Sequence, residues 1–203
     1  QDPPAEWWTP PPEQQPLDRQ RVVALDIETT GLDAAHDQLL EIALVTLDGR
    51  TLWAAMPMGD ADAQRRVLHE LAGHLEGIDG LVGHRLHRFD LPFLEKLADR
   101  LSIRLELAAV PLDVHELSLL VDPTLEGRSL GALCEHFGVP HEAPHTAVGD
   151  AKATAALAQE LLAHVDPAQP SWQLSWRVLS QGAHPWTRLL ALPAPASVEG
   201  ALT

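Results

Sequence analysis

The segment DIETTGL, residues 26–32, ends an apolar run that begins at Val22, and it carries two carboxylates at Asp26 and Glu28. In a β-strand, successive side chains point to opposite faces, so these two acids would share one face while apolar residues line the other. Two like charges this close repel and raise each other's pKa unless protons or cations relieve them. A solvated strand end is the simpler interpretation of such a pair, and a divalent metal site is the alternative if further acids join it.

The composition fits one folded domain with tails. At 203 residues and 45% hydrophobic residues, the chain is long enough for one full core and too short for two comfortable domains. No apolar run approaches the length of a membrane span, so we expect a soluble protein that does not contact the membrane. The single cysteine, Cys134, excludes an internal disulfide framework and is expected in the core. A reducing compartment fits this cysteine usage, and the cytoplasm is the expected location.

The formal net charge of −15 bears on the class of partner. Non-specific binding to nucleic acid normally depends on lysine and arginine against phosphate, so this chain as a whole would repel DNA. Carboxylates that hold metal ions, together with a local basic patch, would still allow an acidic protein to process nucleic acid. The simpler interpretation is that the charge keeps the protein soluble.

Composition divides the chain into three parts. Residues 1–20 form a proline-rich N-terminal extension, residues 21–166 the domain, and residues 167–203 a tryptophan-containing C-terminal extension. Residues 172–178 alternate with strand period, which predicts an edge strand or a docking segment, and residues 194–203 are expected to be disordered.

Hydrophobic periodicity predicts an antiparallel start followed by alternating helices and strands. The strand over 22–28 precedes strands over 39–47 and 51–55, which Asp48-Gly49 would join as a hairpin turn. The remaining predicted elements are helices over 61–76, 90–101, 113–120, 129–137 and 147–165, and strands over 81–82 and 105–112. This order indicates a sheet with helical cover.

Three residues near helix starts extend the acidic pair. Asp90 opens one predicted helix, Asp150 lies in the first turn of the last one, and His145 stands just before it. Each has a simpler explanation when taken alone, as an N-cap, a complement to the helix dipole, or a solvated loop histidine. Together with Asp26 and Glu28, they weaken these simpler interpretations.

Taken in order, these residues resemble the three motifs of the DEDDh (DnaQ-like) 3′–5′ exonuclease family, which includes the proofreading subunit of bacterial DNA polymerase III. The motifs are DIETTGL at 26–32, Gly83-His84 with Phe89-Asp90, and HTAVGD at 145–150. The resemblance covers roughly residues 21–165. The first and third motifs are specific in combination, whereas either alone would be weak.

The resemblance implies an RNase H-like α/β fold, with helices flanking a mixed five-stranded sheet whose first three strands are antiparallel. It implies a metal-dependent hydrolase that removes nucleoside 5′-monophosphates from 3′ ends of single-stranded or frayed DNA, in repair or proofreading, with two divalent ions, Mg²⁺ or Mn²⁺. An RNA-trimming 3′–5′ exoribonuclease is the nearest alternative, because the same motifs serve both polymers. A non-catalytic module that binds a polymerase or repair partner through Trp172, Trp176 and Trp186 is a further alternative.

By the same resemblance, each acid has a role in holding the two ions. Asp26 would bridge them, Glu28 and Asp150 would support the ion that activates water, and Asp90 would act partly through water. His145 would be the general base, a task that suits the ordinary histidine pKa of about 6.5.

The substrate would lie beside the first two motifs. The resemblance implies contacts from the first motif to the terminal nucleotide, with Leu32 wedged at the last base. The second motif departs from the common G-H-N-x-x-F-D, since it is one residue longer and lacks the asparagine. Arg85, His87 and Arg88 add local positive charge that would contact phosphate, and solvated surface residues are the alternative interpretation of these arginines. The expected substrate contacts are Thr29, Gly31, Leu32, Arg85, Arg88 and Phe89.

Overall fold

The computed structural model describes residues 21–57 and 59–165 of the chain. Within this part, five strands and five helices follow one another in an α/β order. The strands are β1 (Val22–Thr29), β2 (Leu39–Thr46), β3 (Thr51–Ala55), β4 (Gly80–Gly83) and β5 (Val110–Asp113). The helices are α1 (Ala61–Leu75), α2 (Asp90–Arg100), α3 (Val114–Val121), α4 (Leu130–Phe137) and α5 (Ala147–Ala163).

The five strands form one mixed sheet in the order β3-β2-β1-β4-β5. β2 pairs antiparallel with both β1 and β3, while β4 pairs parallel with both β1 and β5. Antiparallel neighbours can be joined by a tight turn, and here Gly49 takes a φ of 84° between β2 and β3. The parallel pair β4 and β5 needs a crossover, which α2 supplies. The predicted five-stranded sheet with three antiparallel strands first is therefore confirmed.

Both faces of the sheet are buried. On one face, Leu25 of β1 joins a core with α1 and α2, through residues such as Leu68 and Leu94. On the other face, Ala24 of β1 joins a core with α5, through residues such as Ala155. The expectation of one apolar and one acidic face was wrong for most of β1, because α5 covers the second face and leaves only its end to the acids.

Small side chains let α5 lie close to the sheet. Its buried residues include Ala147, Ala151, Ala155 and Ala158, which add little bulk between helix and strands. Thr146 caps the helix, since its side chain accepts a hydrogen bond from the Gly149 amide. The close approach brings the first turn of α5 to the end of β1.

The predicted strand over 105–112 was wrong in its extent. The structure pairs only residues 110–113 with β4, which is itself four residues long and offers no partner to the residues before Val110. Leu105 and Leu107 pack instead against the core on the α1 and α2 side. β5 lies at the edge of the sheet, so among the described strands only β4 can pair with its amides and carbonyls, and β4 sets its length.

Cys134 lies in the core beside α5, with 1% of its surface exposed. Burial raises the pKa of its thiol to about 11, so the thiolate does not form near neutral pH. The prediction of a core cysteine is confirmed.

The two predicted extensions, including the alternating segment over 172–178 and the end over 194–203, lie outside the described residues. In the described part of the chain, no helix combines the length and the apolar character that crossing a membrane requires.

Candidate active site

Three carboxylates meet at the end of β1. Asp26 and Glu28 lie on this strand, Asp150 lies in the first turn of α5, and one oxygen from each lies within 4.8 Å of the others. Carboxylate oxygens at this spacing are the ligands that hard divalent cations prefer. The structure thus brings together three of the four acids that the sequence singled out.

Asp90 stands behind this group at the start of α2, with 5% of its surface exposed. It is not a member of the three-carboxylate group, yet its charge is the largest electrostatic contribution to the raised pKa of Asp26. Phe89, not Asp90, is the N-cap of α2, so the N-cap interpretation of Asp90 was wrong. Burial raises the pKa of Asp90 to about 7, although hydrogen bonds from the Ile27 amide and its own amide oppose the rise.

The cluster carries more negative charge than its surroundings neutralise. Burial raises the pKa of Asp26 well above its ordinary value, and the charges of neighbouring acids raise it further. Burial and the charge of Asp150 likewise raise the pKa of Glu28. Among residues 21–57 and 59–165, no lysine or arginine forms an ion pair with these carboxylates or with Asp90. This oxygen-only set, which no lysine or arginine of the described part neutralises, fits divalent cations.

Glu41 is a fifth acid that the sequence reasoning missed. It lies on β2 directly opposite Glu28, and its charge raises the pKa of both Glu28 and Asp26. Its Oε2 accepts a hydrogen bond of 3.1 Å from the Ala147 amide at the start of α5. The available signal was a single charge inside the otherwise apolar strand LLEIALVT.

His145 lies beside the cluster on the loop before α5. Its side chain is exposed, its φ is 64°, and its charge lowers the pKa of Glu28. Its backbone amide donates a hydrogen bond of 3.2 Å to Asp150 Oδ1. A Cβ on Gly149 would lie 2.2 Å from the Ala143 carbonyl oxygen, so this loop packs tightly on the helix. His145 thus lies near enough to the acids for its amide to contact Asp150 and for its charge to act on Glu28.

A second histidine, His141, reaches the cluster from the same loop. Its Nε2 lies 2.7 Å from Asp150 Oδ1, and both side chains are largely buried. The sequence reasoning did not select it, because a lone histidine nine residues before an aspartate carries no recognisable spacing.

The residues after β1 form a compact turn next to the acids. Thr29 donates from its hydroxyl to the Gly31 carbonyl at 2.7 Å, and Leu32 is 85% exposed. A Cβ on Gly31 would lie 2.5 Å from an oxygen of Asp37. A side chain here would therefore displace the Asp37 carboxylate, which accepts hydrogen bonds from the Thr30 hydroxyl and the Asp33 amide.

Two residues accommodate the extra length of the second motif: Arg85 takes a strained backbone conformation, and Leu86 is buried. Arg85 takes a φ of 61°, and its amide donates a hydrogen bond of 3.0 Å to Asp113 Oδ1. The extra length lets Leu86 turn inward, where it is fully buried and packs against Gly83. Within the described residues, neither Arg85 nor Arg88 forms an ion pair, and both side chains are exposed.

Phe89 exposes less of its side chain for substrate contact than the sequence suggested. Its ring lies 5.7 Å from that of Phe93 and packs against the core on the α2 side, leaving it half-buried. Its main role in the fold is therefore to seat the start of α2, which carries Asp90.

The family model RNase_T, described as exonuclease, matches residues 57–158 of the chain, which is half of its length. A PolC-type DNA polymerase III from Oceanobacillus iheyensis is 31% identical, over 69% of this chain and 11% of that protein. The 3′–5′ exonuclease DinG of Bacillus subtilis is 28% identical, over 72% of this chain and 18% of that protein. A DNA polymerase III subunit epsilon-like protein from Rhodobacter capsulatus is 32% identical, over 69% of this chain and 23% of that protein. The chain thus spans less than a quarter of these curated relatives.

Solved structures share the fold at low sequence identity. A family B DNA polymerase from Pyrobaculum calidifontis matches with a TM-score of 0.59 and 22% identity, over 81% of this chain and 27% of that one. E. coli exonuclease I in complex with a dA16 oligonucleotide matches with a TM-score of 0.55 and 15% identity, over 72% of this chain and 41% of that one. The predicted RNase H-like α/β architecture is confirmed. With the matching family model and the named relatives, these findings show that the chain belongs to the RNase_T family of DnaQ-like exonucleases.

Proposed function

We propose that this protein is a DEDDh-type 3′–5′ exonuclease that hydrolyses phosphodiester bonds at the 3′ ends of DNA, single-stranded or frayed, in repair or proofreading. The products would be nucleoside 5′-monophosphates. The observation that carries the proposal is the group of three carboxylates from Asp26, Glu28 and Asp150, within 4.8 Å of one another, in a chain of the exonuclease family. DNA as the substrate is supported by the relatives, which are named as DNA polymerases and a 3′–5′ exonuclease.

The acids would hold two divalent cations, Mg²⁺ or Mn²⁺. Asp26 is at the centre of the cluster, since the charges of Asp90, Asp150 and Glu28 all raise its pKa, and this position suits a ligand shared between two ions. Asp90 is buried and lies outside the three-carboxylate group, which suits a contact through water. When bound, two such ions activate the attacking water and neutralise charge on the leaving 3′ oxygen.

His145 would accept the proton of the attacking water. An exposed imidazole beside the acids has access both to the substrate end and to solvent, where the proton is released. The hydrogen bond from its amide to Asp150 holds the backbone of this base against one of the proposed ligands.

The exposed side chain of Leu32 would lie against the terminal base, and the compact turn from Thr29 to Gly31 would contact its sugar. Arg85 and Arg88 would contact the phosphates of the strand. Both guanidinium groups are exposed and form no ion pair with another described residue, which supports this assignment in an otherwise acidic chain. Phe89 would contribute only the outer part of its half-buried ring.

The activity test uses a 3′-terminated labelled oligonucleotide with Mg²⁺, with Mn²⁺ or with chelator. Asp26→Asn keeps the size of the side chain and removes its charge, and His145→Ala removes the base. We expect metal-dependent release of mononucleotides and a loss of at least about 100-fold in each variant. Activity in chelator, or full activity in Asp26→Asn, contradicts the proposal.

The polymer is decided by competition between matched DNA and RNA oligonucleotides at equal concentration. Preferential cleavage of RNA replaces the DNA assignment with an exoribonuclease. A polymerase or repair protein is proposed as a partner through residues 167–203, because several relatives are DNA polymerases. Capture of such a protein by the whole chain, but not by a chain that ends at residue 166, tests this assignment.

A further inference from the structure

His141 makes the shortest polar contact to the three-carboxylate group. It lies in the loop between α4 and α5, and its Nε2 is 2.7 Å from Asp150 Oδ1, with 16% and 15% of the two side chains exposed. A carboxylate that holds a divalent cation is ionised and only accepts hydrogen bonds, so in the metal-bound protein the imidazole Nε2 would carry the hydrogen and donate it. The contact would thus be a charge-assisted hydrogen bond between two largely buried side chains.

The same oxygen of Asp150 has a second donor. The His145 amide reaches Oδ1 at 3.2 Å, so one carboxylate oxygen accepts from two histidine residues, once from a ring and once from the backbone. Within the described residues, no hydrogen bond reaches Oδ2 of Asp150. Two donors on one oxygen fix the rotation of the carboxylate and leave the other oxygen available to a cation.

The fold holds the His141 ring from both sides. Gly138 ends α4 with a φ of 68°, and the Val139 amide returns to the Cys134 carbonyl at 2.8 Å. The ring then lies over α4, where its Nδ1 is 3.9 Å from the place that a Cβ on Gly131 would take. A largely buried histidine between α4 and Asp150 has less rotamer freedom to lose than an exposed one, so its hydrogen bond can orient Asp150 at lower entropic cost.

We infer that His141 is a positioning residue of the active site, which fixes the orientation of Asp150 towards a bound divalent cation and, through the same oxygen, the backbone of His145. This inference rests on the metal site of the proposed function. It assigns to His141 no contact with substrate and no transfer of a proton.

Two substitutions of His141 by residues of similar size distinguish the effect of its hydrogen bond to Asp150 from the effect of its ring volume. In His141→Gln, the amide nitrogen reaches the place of the imidazole Nε2 and keeps a donor to Asp150. In His141→Asn, the amide nitrogen reaches only the place of Nδ1, so the donor is lost. Mn²⁺ binding to the whole protein, measured by calorimetry without substrate, should weaken by about 10-fold or more in His141→Asn. We expect a much smaller loss in His141→Gln, and kcat at limiting Mn²⁺ should follow the same order.

Mn²⁺ binding as tight in His141→Asn as in the wild-type protein overturns the inference. Equal losses in the two variants also overturn it, because they would show that the ring volume matters and the donor does not. A further outcome is that the wild-type protein binds Mn²⁺, and the two variants weaken that binding in the expected order, while the wild-type protein cleaves no oligonucleotide. That result overturns the proposed function and supports the positioning role. Melting temperatures of both variants in chelator separate a loss of binding from a loss of folding.

Discussion

Glu41 on β2 lies directly opposite Glu28 on β1, and the carboxylate of Glu41 accepts a hydrogen bond from the Ala147 amide at the start of α5. Like charges opposite each other on neighbouring strands destabilise a sheet. The hydrogen bond of Glu41 nevertheless joins β2 to the helix that carries Asp150. One residue therefore both links two elements of the site and adds to its negative charge.

Glu41→Gln should separate these two effects. Glutamine keeps an oxygen that can accept from Ala147 but removes one negative charge, so the pKa of Asp26 and Glu28 should fall. We expect the metal-free protein to gain about 0.5–1 kcal/mol of unfolding free energy at pH 8 and to bind Mn²⁺ more weakly. Chemical denaturation in chelator and calorimetry with Mn²⁺ measure the two quantities. Glu41→Leu, which leaves the amide unpaired, should instead lose about 1–3 kcal/mol.

The stability of the metal-free protein should rise as the pH falls from 8 to 4. Burial raises the pKa of Asp90 to about 7 from an ordinary value of 3.8, so the folded protein binds a proton that the unfolded chain releases. Such a group stabilises the fold fully below its unfolded pKa, and this stabilisation is lost as the pH rises through about 7. Unfolding free energies in chelator across this range measure the effect.

The matched variant for this pH effect is Asp90→Asn, which cannot ionise. It should be more stable than the wild-type protein at pH 8 in chelator, by on the order of several kcal/mol, and the difference should vanish near pH 4. A variant that follows the wild-type curve at every pH would show that Asp90 is not the buried acid responsible. Added Mg²⁺ should stabilise the wild-type protein more at pH 8 than at pH 5, because ionised carboxylates bind it.

Arg85→Asn should stabilise the fold. Arg85 holds a φ of 61°, a conformation that asparagine tolerates better than other residues with a side chain. We expect a gain of about 0.5–1 kcal/mol, and Arg88→Asn, at an exposed position without this strain, should stay within about 0.5 kcal/mol of the wild-type protein. Thermal unfolding of the pair checks the difference, and equal stability of the two variants would refute the assigned strain.

The same two variants test the proposed phosphate contacts. Each removes one guanidinium from the second motif, so each should raise KM for a single-stranded oligonucleotide and flatten the dependence of kcat/KM on salt. Kinetics at several salt concentrations measure this. A salt slope unchanged in both variants would leave these arginines as solvated surface residues.

Thr154→Val should also stabilise the protein. Thr154 is fully buried in α5, and its hydroxyl makes no hydrogen bond within the described residues. Replacing an unpaired buried hydroxyl by a methyl group of similar shape should gain about 1 kcal/mol of unfolding free energy. Denaturant unfolding gives the value. Thr154→Ala is the matched control, since it removes the hydroxyl without filling its space and should gain less or lose stability.

Local patterns predicted most of the elements. The first three strands, the turn at Asp48-Gly49 and the last helix lie within about two residues of their expected ends, because alternation, helical spacing and caps are properties of neighbouring residues. The strand before Asp113 was predicted too long, because its length depends on β4, a partner distant in the sequence.

The candidate site divides in the same way. The sequence by itself determined which acids and which histidine to expect, since Asp26, Glu28, Asp90, His145 and Asp150 stand in a recognisable order. Only the tertiary structure decided that Glu41 faces Glu28, that His141 donates to Asp150, and that α5 covers the second face of β1. Strand register and loop packing create these contacts. The single charge in β2 distinguished Glu41, but no local pattern indicated which residue it would face.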